Sequence, residues 1–525
     1  MNRIQVLDCT LRDGGYCNQW QFGFANIKTI AKSLIEADID VVECGFITNR
    51  IEYNKNVTRF TALDELMQVL PVVRNGKLFV AMMNYGEFSI DELPDYNGAS
   101  INGIRVAFHK TDRIKALELC EKIKKKGYLV FVQAMVSLSY TDEEFLDLIK
   151  RVNEFEPYAF YIVDSFGMMK GKDLIRLFYM VEHNLKESIK IGFHSHNNLQ
   201  LAFSNAQQLV GLNTNRDLVI DSSVYGMGRG AGNLNTELFV EYLNENAGTH
   251  YEIKPLLTII DEIINEFYQR NPWGYSLPNY LSASHNTHPN YAEYLDDKKT
   301  LTIDAMNDIF DLIDNNKRFK YDKEYIEELY IKYMGRNATQ KKREMELKKR
   351  LSGKIVVVVA PGKSSIYEQE KIRQFINDNK AICIVINHDC KCVHTDFIFL
   401  SNLRRYRELD VACYKRCIVT SNIPSNDIYL QTRYSDLLND VEAVRDNAGL
   451  MTIKFLMEYN IKAVYLAGFD GYSHDIKENY GENELAFVTR NAVLDAMNAG
   501  MTEVLKAYKT KIELSFLTKP RNVLL

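Results

Sequence analysis

Three observations in this 525-residue sequence predict an α/β protein in two parts, an N-terminal (β/α)₈ (TIM) barrel with a helical extension and a C-terminal Rossmann-like three-layer α/β domain. Short apolar segments alternate with helix-period segments through the first half. A densely charged stretch follows at 340–354. A second strand–helix alternation then begins at Ile355. At roughly 100–200 residues per domain the chain is too long for one ordinary core, and a (β/α)₈ barrel is the usual way to fill about 250 residues in one piece.

The strands of the first part are read at Ile4–Cys9, Val41–Ile47, Leu78–Met83, Ile104–Phe108, Leu129–Met135, Phe160–Val163, Ile189–Phe193 and Leu218–Ile220. They are short, rich in β-branched residues and nearly free of charge, as strands of a parallel sheet covered on both faces must be. Ala25–Ala37, Thr111–Lys126, Thr141–Glu154 and Lys172–Leu185 between them have helical period. Thr141 followed by Asp142, Glu143 and Glu144 is a helix start, with a hydroxyl cap and acids in the first turn. The expected organisation is a barrel over 1–250, a helical extension over 251–337 with helices at Ile253–Tyr268 and Tyr321–Tyr333, and a charged linker over 338–354. A Rossmann-like domain over 355–525 follows, with strands at Ile355–Ala360, Ala381–Asn387, Phe397–Leu400, Cys417–Thr420 and Ala463–Ala467, and helices at Ser435–Tyr459 and Glu484–Leu505.

Composition removes several function classes. The 64 Lys and Arg are balanced by 69 Asp and Glu, for a net charge of −5, which argues against nucleic-acid binding by bulk charge. No segment reads as a secretory signal or a membrane span, and the nine cysteines show no small-scaffold spacing, so reduced thiols and a cytoplasmic location are expected.

In a barrel, catalytic groups project from the carboxyl ends of the strands. Those positions carry Arg12-Asp13-Gly14-Gly15-Tyr16, Glu43-Cys44-Gly45, Asp164-Ser165, His194-Ser195-His196 and Gly226-Met227-Gly228-Arg229. His194 and His196, two apart on a strand, share a face and can hold one divalent cation, with an oxygen from Asp13. Two imidazoles and one carboxylate leave positions open for water and a bidentate substrate.

TLRDGG (Thr10–Gly15), FHSHNN (Phe193–Asn198) and GMGRGAGN (Gly226–Asn233) together resemble the metal-dependent lyases and aldolases that include hydroxymethylglutaryl-CoA lyase and isopropylmalate synthase, the pyruvate carboxyltransferase-type barrels. Within that superfamily IRVAFHKTD (Ile104–Asp112), YIVDSFGMM (Tyr161–Met169) and HSHNNLQLAFSNA (His194–Ala206) are similar to the 4-hydroxy-2-oxovalerate aldolases, over roughly the first 295 residues. The resemblance implies retro-aldol cleavage of a 4-hydroxy-2-oxo acid to pyruvate and an aldehyde, or the reverse. It implies Mn²⁺ or Mg²⁺ on Asp13, His194 and His196, with pyruvate or its enolate chelating the metal. Arg12 would stabilise the enolate oxygen and Ser165 would hydrogen-bond the pyruvate carboxylate. Asn233 is either a further metal ligand or a support for its loop, and Glu43 either faces substrate or is a structural hydrogen-bond partner. Tyr16 stands where aldolases of this branch carry a histidine base, and an unperturbed phenol is a poor base at neutral pH. Tyr275 and Tyr280 are candidates for a tyrosine over the site, of which Tyr280 is taken as substrate-binding, and His285 or His288 could supply the missing base.

In the second part, Pro361-Gly362-Lys363-Ser364 resembles the end of a P-loop, but Val357 occupies the position of its first glycine, which excludes a nucleoside triphosphatase. The Cys390-Lys391-Cys392 spacing lacks a second pair and argues against zinc. The leading expectation is a metal-dependent aldolase, forming a homo-oligomer and using small molecules, not nucleic acid or membrane, as partners. An acyl-CoA-dependent Claisen-type synthase or lyase is the second reading, and a non-catalytic barrel serving as an assembly module is the third.

Overall fold

A computed structural model describes residues 4–71, 73–334, 341–391, 393–425, 427–481 and 489–525. The chain forms two compact units, Met1–Ala292 with Asn315–Tyr321, and Glu293–Asp314 with Asp322–Leu525.

The first unit is a closed barrel of eight parallel strands, as expected: β1 (Ile4–Asp8), β2 (Val41–Ile47), β3 (Leu78–Asn84), β4 (Gly103–Phe108), β5 (Leu129–Ala134), β6 (Ala159–Asp164), β7 (Lys190–Ser195) and β8 (Leu218–Ser222). Consecutive strands pair in parallel. The ring closes where β1 meets β8, from Ile4 opposite Leu218 to Asp8 opposite Ser222, and β2, with Leu7 opposite Val41. The two-residue strand Arg59–Phe60 adds to β2 outside the ring.

The apolar strand runs have a direct physical cause. Alternate side chains such as Val6, Val42, Ile104, Val132 and Phe160 pack outward under the helices, while Leu7, Val41, Val80, Phe131, Tyr161 and Val219 form a separate interior cluster. Each such fully buried side chain contributes about 1.5–3 kcal/mol of transfer free energy. The helix Asp142–Phe155 starts as the sequence predicts: Thr141 Oγ1 accepts from Glu144 N at 3.2 Å, and the Glu144 carboxylate accepts from Thr141 N at 2.8 Å.

The stretch expected as one helical extension is shared between the units. Ile253–Arg270 runs as a helix with a π-turn at Ile260–Ile264, and its Leu256, Ile259, Ile264 and Phe267 join the barrel's outer core. The helices Ile303–Asp311 and Lys323–Met334 belong to the second unit. There Tyr330 and Tyr434 both donate to Asp446, and Thr300 shares a 2.8 Å hydrogen bond with the Tyr330 hydroxyl. The charged stretch contains the helix Lys341–Leu351, whose Leu347 and Leu351 are buried; residues 335–340 lie outside the described set.

The second unit is an all-parallel sheet of β9 (Ile355–Val359), β10 (Ile382–Ile386), β11 (Phe397–Leu400), β12 (Cys417–Thr420), β13 (Leu430–Thr432), β14 (Ala463–Ala467) and β15 (Leu514–Phe516). Its order is β13-β12-β11-β10-β9-β14-β15, which reverses direction between β9 and β14 as in doubly wound folds. The expected strands are present. β13 and β15 escape the sequence reading because they are three-residue edge strands whose polar Gln431 and Ser515 break the apolar run. The expected helix Ser435–Tyr459 is shorter. It spans Ala448–Leu456, because Asn447 caps it by accepting from Gly449 N and Leu450 N and so ends the irregular segment before it. The last helix covers Asn491–Lys509, and the part expected at 484–488 lies outside the described residues. After β9, Ser364 N and Oγ donate to Asp470, so this strand–helix turn holds the chain's own carboxylate. Seven cysteines are free and buried, whereas Cys390 is disulfide-bonded, a departure from the fully reduced set expected. Among the described residues no helix is long and apolar enough to cross a membrane.

One close approach fixes the barrel interior. A Cβ at Gly192 on β7 would lie 2.2 Å from the buried Tyr161 ring, and that ring carries the Arg105 guanidinium at 5.0 Å on its face. Gly192→Ala is expected to destabilise the protein by about 1–3 kcal/mol through overpacking. A thermal unfolding midpoint equal to that of the unaltered protein would contradict this packing.

Candidate metal centre

The carboxyl ends of β1 and β7 bring Asp13, His194 and His196 together. All three are buried, and one ligand atom from each lies within 4.8 Å of the others. The distance from His196 Nε2 to Asp13 Oδ2 is 3.7 Å. Both imidazoles are held from behind. His194 Nδ1 is 2.9 Å from Asp221 Oδ2, and His196 Nδ1 is 3.2 Å from the Arg229 carbonyl oxygen. Each contact leaves Nε2 turned to the common centre, the arrangement that orients histidine ligands in metal sites. The donor set of two imidazoles and one carboxylate therefore fits a divalent cation.

Asp13 is fixed on both oxygens. Arg12 Nη1 donates to Oδ1, and Asn233 Nδ2 donates to Oδ2 at 2.6 Å. Burial alone would raise the Asp13 pKa, but Arg12 and the two histidines outweigh it and hold the carboxyl well below the usual range. Asn233 also ties down its own loop through Met227 O at 3.3 Å, while its Oδ1 is buried without a hydrogen-bond partner. That free oxygen sits on the residue whose two expected roles were ligand and loop support. The glycine-rich turn is needed at this point, since a Cβ at Gly228 would lie 2.4 Å from Asn233 Nδ2 and 2.9 Å from Asp13 Oδ2.

Behind the triad runs a chain of buried charges. Glu43 Oε2 accepts from Arg12 Nε at 2.8 Å and lies 2.8 Å from Arg105 Nη1, and Arg105 in turn reaches Asp221. Burial pushes the Asp221 pKa up, but Arg105 and His194 reverse the sign, and Asp221 is held below the ordinary carboxylate value. Arg105 and Asp221 were missed by the sequence reading. Their signal was a charged residue within a doubly covered apolar strand, which is almost never fully buried unless paired.

Ser165 follows β6, and its Oγ accepts from Val136 N at 2.9 Å, which leaves its O–H free to donate. Tyr16 lies beside the triad with its ring 41% exposed. Burial of the phenol pushes its pKa up, Arg229 opposes this, and Asp13 adds to it, so the hydroxyl keeps its proton at neutral pH. Tyr275 and Tyr280 are 57% and 42% exposed. Of the two loop histidines, His288 reaches the mouth of the barrel. Its ring lies 5.1 Å edge-on from Phe166, and its nitrogens are 3.2 and 3.5 Å from Arg229 Nη2. His285 offers its carbonyl to Arg318 at 2.9 Å.

Residues 3–262 match the family described as HMGL-like. The barrel is thus an HMGL-like domain, and the match spans about half of the chain. A 4-hydroxy-2-oxovalerate aldolase of Pseudoalteromonas translucida (strain TAC 125) is 26% identical over 265 residues, 50% of this chain and 76% of that one. 4-Hydroxy-2-oxovalerate aldolase 2 of Comamonas testosteroni is 28% identical over 240 residues, 45% of this chain and 67% of that one. Among solved structures, the N-terminal domain of a Bacteroides vulgatus protein is 27% identical, with 57% of this chain and 98% of that chain covered and a TM-score of 0.47.

His288 yields a pH prediction. Burial, reinforced by the charges of Arg229 and His109, lowers its pKa to about 2. An unfolded histidine titrates near 6.5, so below about pH 6.5 the unfolded chain binds a proton that the folded chain refuses, and stability falls as pH drops. The unaltered protein should therefore lose stability between pH 7 and pH 5 by about 1 kcal/mol more than His288→Gln, after allowance for solvent screening. Equal losses in denaturant titrations at the two pH values would contradict the burial of this group.

Proposed function

We propose that the barrel is a divalent-metal-dependent aldolase or lyase that cleaves a 4-hydroxy-2-oxo acid to pyruvate and an aldehyde, or joins them. The observation that carries this reading is the triad with both Nδ1 atoms restrained from behind and a guanidinium, Arg12, on the same carboxylate. Asp13, His194 and His196 would hold Mn²⁺ or Mg²⁺, and when bound the cation supplies a Lewis acid at the oxo group. Family relatives named as aldolases support the class.

The chain's own groups then divide the work. In cleavage the C3–C4 bond breaks, its electron pair moves to C3 and the 2-oxo oxygen, and the 4-hydroxyl gives up its proton. A proton taken up at C3 completes pyruvate, and the other fragment leaves as the aldehyde. Arg12 is a permanent cation held in place by Glu43, so it meets the negative charge developing at the oxo oxygen without having to reorganise. The Ser165 hydroxyl donates to the carboxylate of the oxo acid. Tyr16, protonated at neutral pH, holds the proton at the 4-oxygen, the state suited to protonating the new alkoxide in condensation. With neutral histidines, Asp13, Glu43 and Asp221 exceed Arg12 and Arg105 by one negative charge. A divalent cation carrying a monoanionic oxo acid neutralises that excess.

Asp13→Asn and His194→Ala are expected to remove bound metal and activity together, as read by metal analysis of the purified proteins. Unchanged metal content in both would sink the assignment. Asp221→Asn, which keeps the shape but not the charge behind His194, should weaken Mn²⁺ binding by about 10–100-fold; an unchanged affinity would show that His194 needs no orienting carboxylate. With Mn²⁺ present the protein should also exchange deuterium into the methyl group of pyruvate. Absence of exchange with metal bound would favour the non-catalytic barrel.

A further inference from the structure

Arg229 is unlike the other arginines of the site. Its backbone carbonyl restrains His196, and its side chain lies over the Tyr16 ring, with Cζ 5.4 Å from the centroid. Its Nη2 donates to Asn290 Oδ1 at 2.5 Å and lies against the neutral His288 ring. Arg12 and Arg105 each have two carboxylates, whereas among the described residues no carboxylate pairs with Arg229. A half-buried guanidinium without a counter-ion beside a metal centre is a receptor for an anion.

A second cation is brought to the same place by the Asn315–Tyr321 strap. The Tyr291 hydroxyl donates to Lys317 O at 2.9 Å and Lys320 O at 3.0 Å, and His288 N donates to Arg318 O at 2.7 Å. Tyr321 stacks on His288 at 5.8 Å and Phe319 on Phe166 at 6.4 Å. These anchors fix the strap that carries the exposed Lys320; burial lowers the His109 pKa, Asp112 opposes this, and the charges of Lys320 and Arg229 add to it. Phe166, Met168 and Val136 form a buried apolar cluster with the half-buried Phe319, and Phe166 touches the His288 ring.

We infer that Arg229 receives an anionic group at the far end of the aldehyde half of the substrate, so that the aldehyde is a short aldehyde acid or aldehyde phosphate and not a simple alkanal. This rests on the aldolase reading above. The Arg229 guanidinium lies over the Tyr16 ring, and the reading above sets Tyr16 at the 4-oxygen, so an anion bound by Arg229 belongs to the aldehyde half of the substrate. The phosphates of an acyl-CoA would be a full pantetheine arm away. In condensation, pyruvate loses one methyl proton, its C3 bonds to the aldehyde carbon, and the resulting alkoxide takes up one proton; the distal anion is unchanged and serves only to place the aldehyde.

The test is condensation of pyruvate, with Mn²⁺, on butanal, succinic semialdehyde and glyceraldehyde 3-phosphate, each measured as kcat/KM. One of the two anionic aldehydes should exceed butanal by about tenfold or more, and which one does so separates carboxylate from phosphate. Arg229→Gln should bring that ratio close to one, while Arg229→Lys, which keeps the charge, should retain most of it. Butanal serving as well as both anionic aldehydes, or a ratio that survives Arg229→Gln, would overturn the inference. Deuterium exchange into pyruvate by the unaltered protein separates the two levels. Its absence overturns the aldolase reading, and its presence without an anionic preference overturns only the role of Arg229.

Discussion

The site depends on a chain of opposite charges buried inside the barrel: Asp13 to Arg12, Arg12 to Glu43, Glu43 to Arg105, Arg105 to Asp221, and Asp221 to His194. Ions in such a place are tolerated only when every one has a partner, and removing a single partner costs about 3–5 kcal/mol because a charge is left stranded. The chain links β1, β2, β4, β7 and β8 across the barrel interior, so the positions of the metal-binding groups are set by strands far apart in sequence. With neutral histidines the chain carries one excess negative charge at the centre.

Much of this was legible in the sequence, for a physical reason. A strand covered on both faces has to be apolar, so the eight barrel strands stand out, and polar residues at their carboxyl ends stand out against them. Asp13, His194 and His196 were read that way, and the structure brings them together. Arg105 and Asp221 were not read, because their meaning lies in a pairing across 116 residues of chain that no local pattern encodes. The Asn315–Tyr321 strap was likewise invisible, since it is held by backbone carbonyls that carry no sequence signature. The edge strands β13 and β15 were missed because an edge needs no continuous apolar run.

Electrostatics bear on both candidates for the base. Burial and Asp13 raise the pKa of Tyr16 against the opposing charge of Arg229, in keeping with a phenol being a poor base at neutral pH. Burial, reinforced by Arg229, keeps His288 neutral well into acid. The second unit, built on a doubly wound sheet, keeps its polar groups paired at the β9–β14 reversal, where Ser364, Asp470 and Thr518 bond to one another.

The most direct test of the central claim is electron spin-echo spectroscopy of the purified protein titrated with Mn²⁺. About one tightly bound Mn²⁺ per chain is expected, coupled to the nitrogens of two imidazoles, with Asp13 supplying oxygen. Weak binding below that stoichiometry, or bound Mn²⁺ without imidazole coupling, would contradict it.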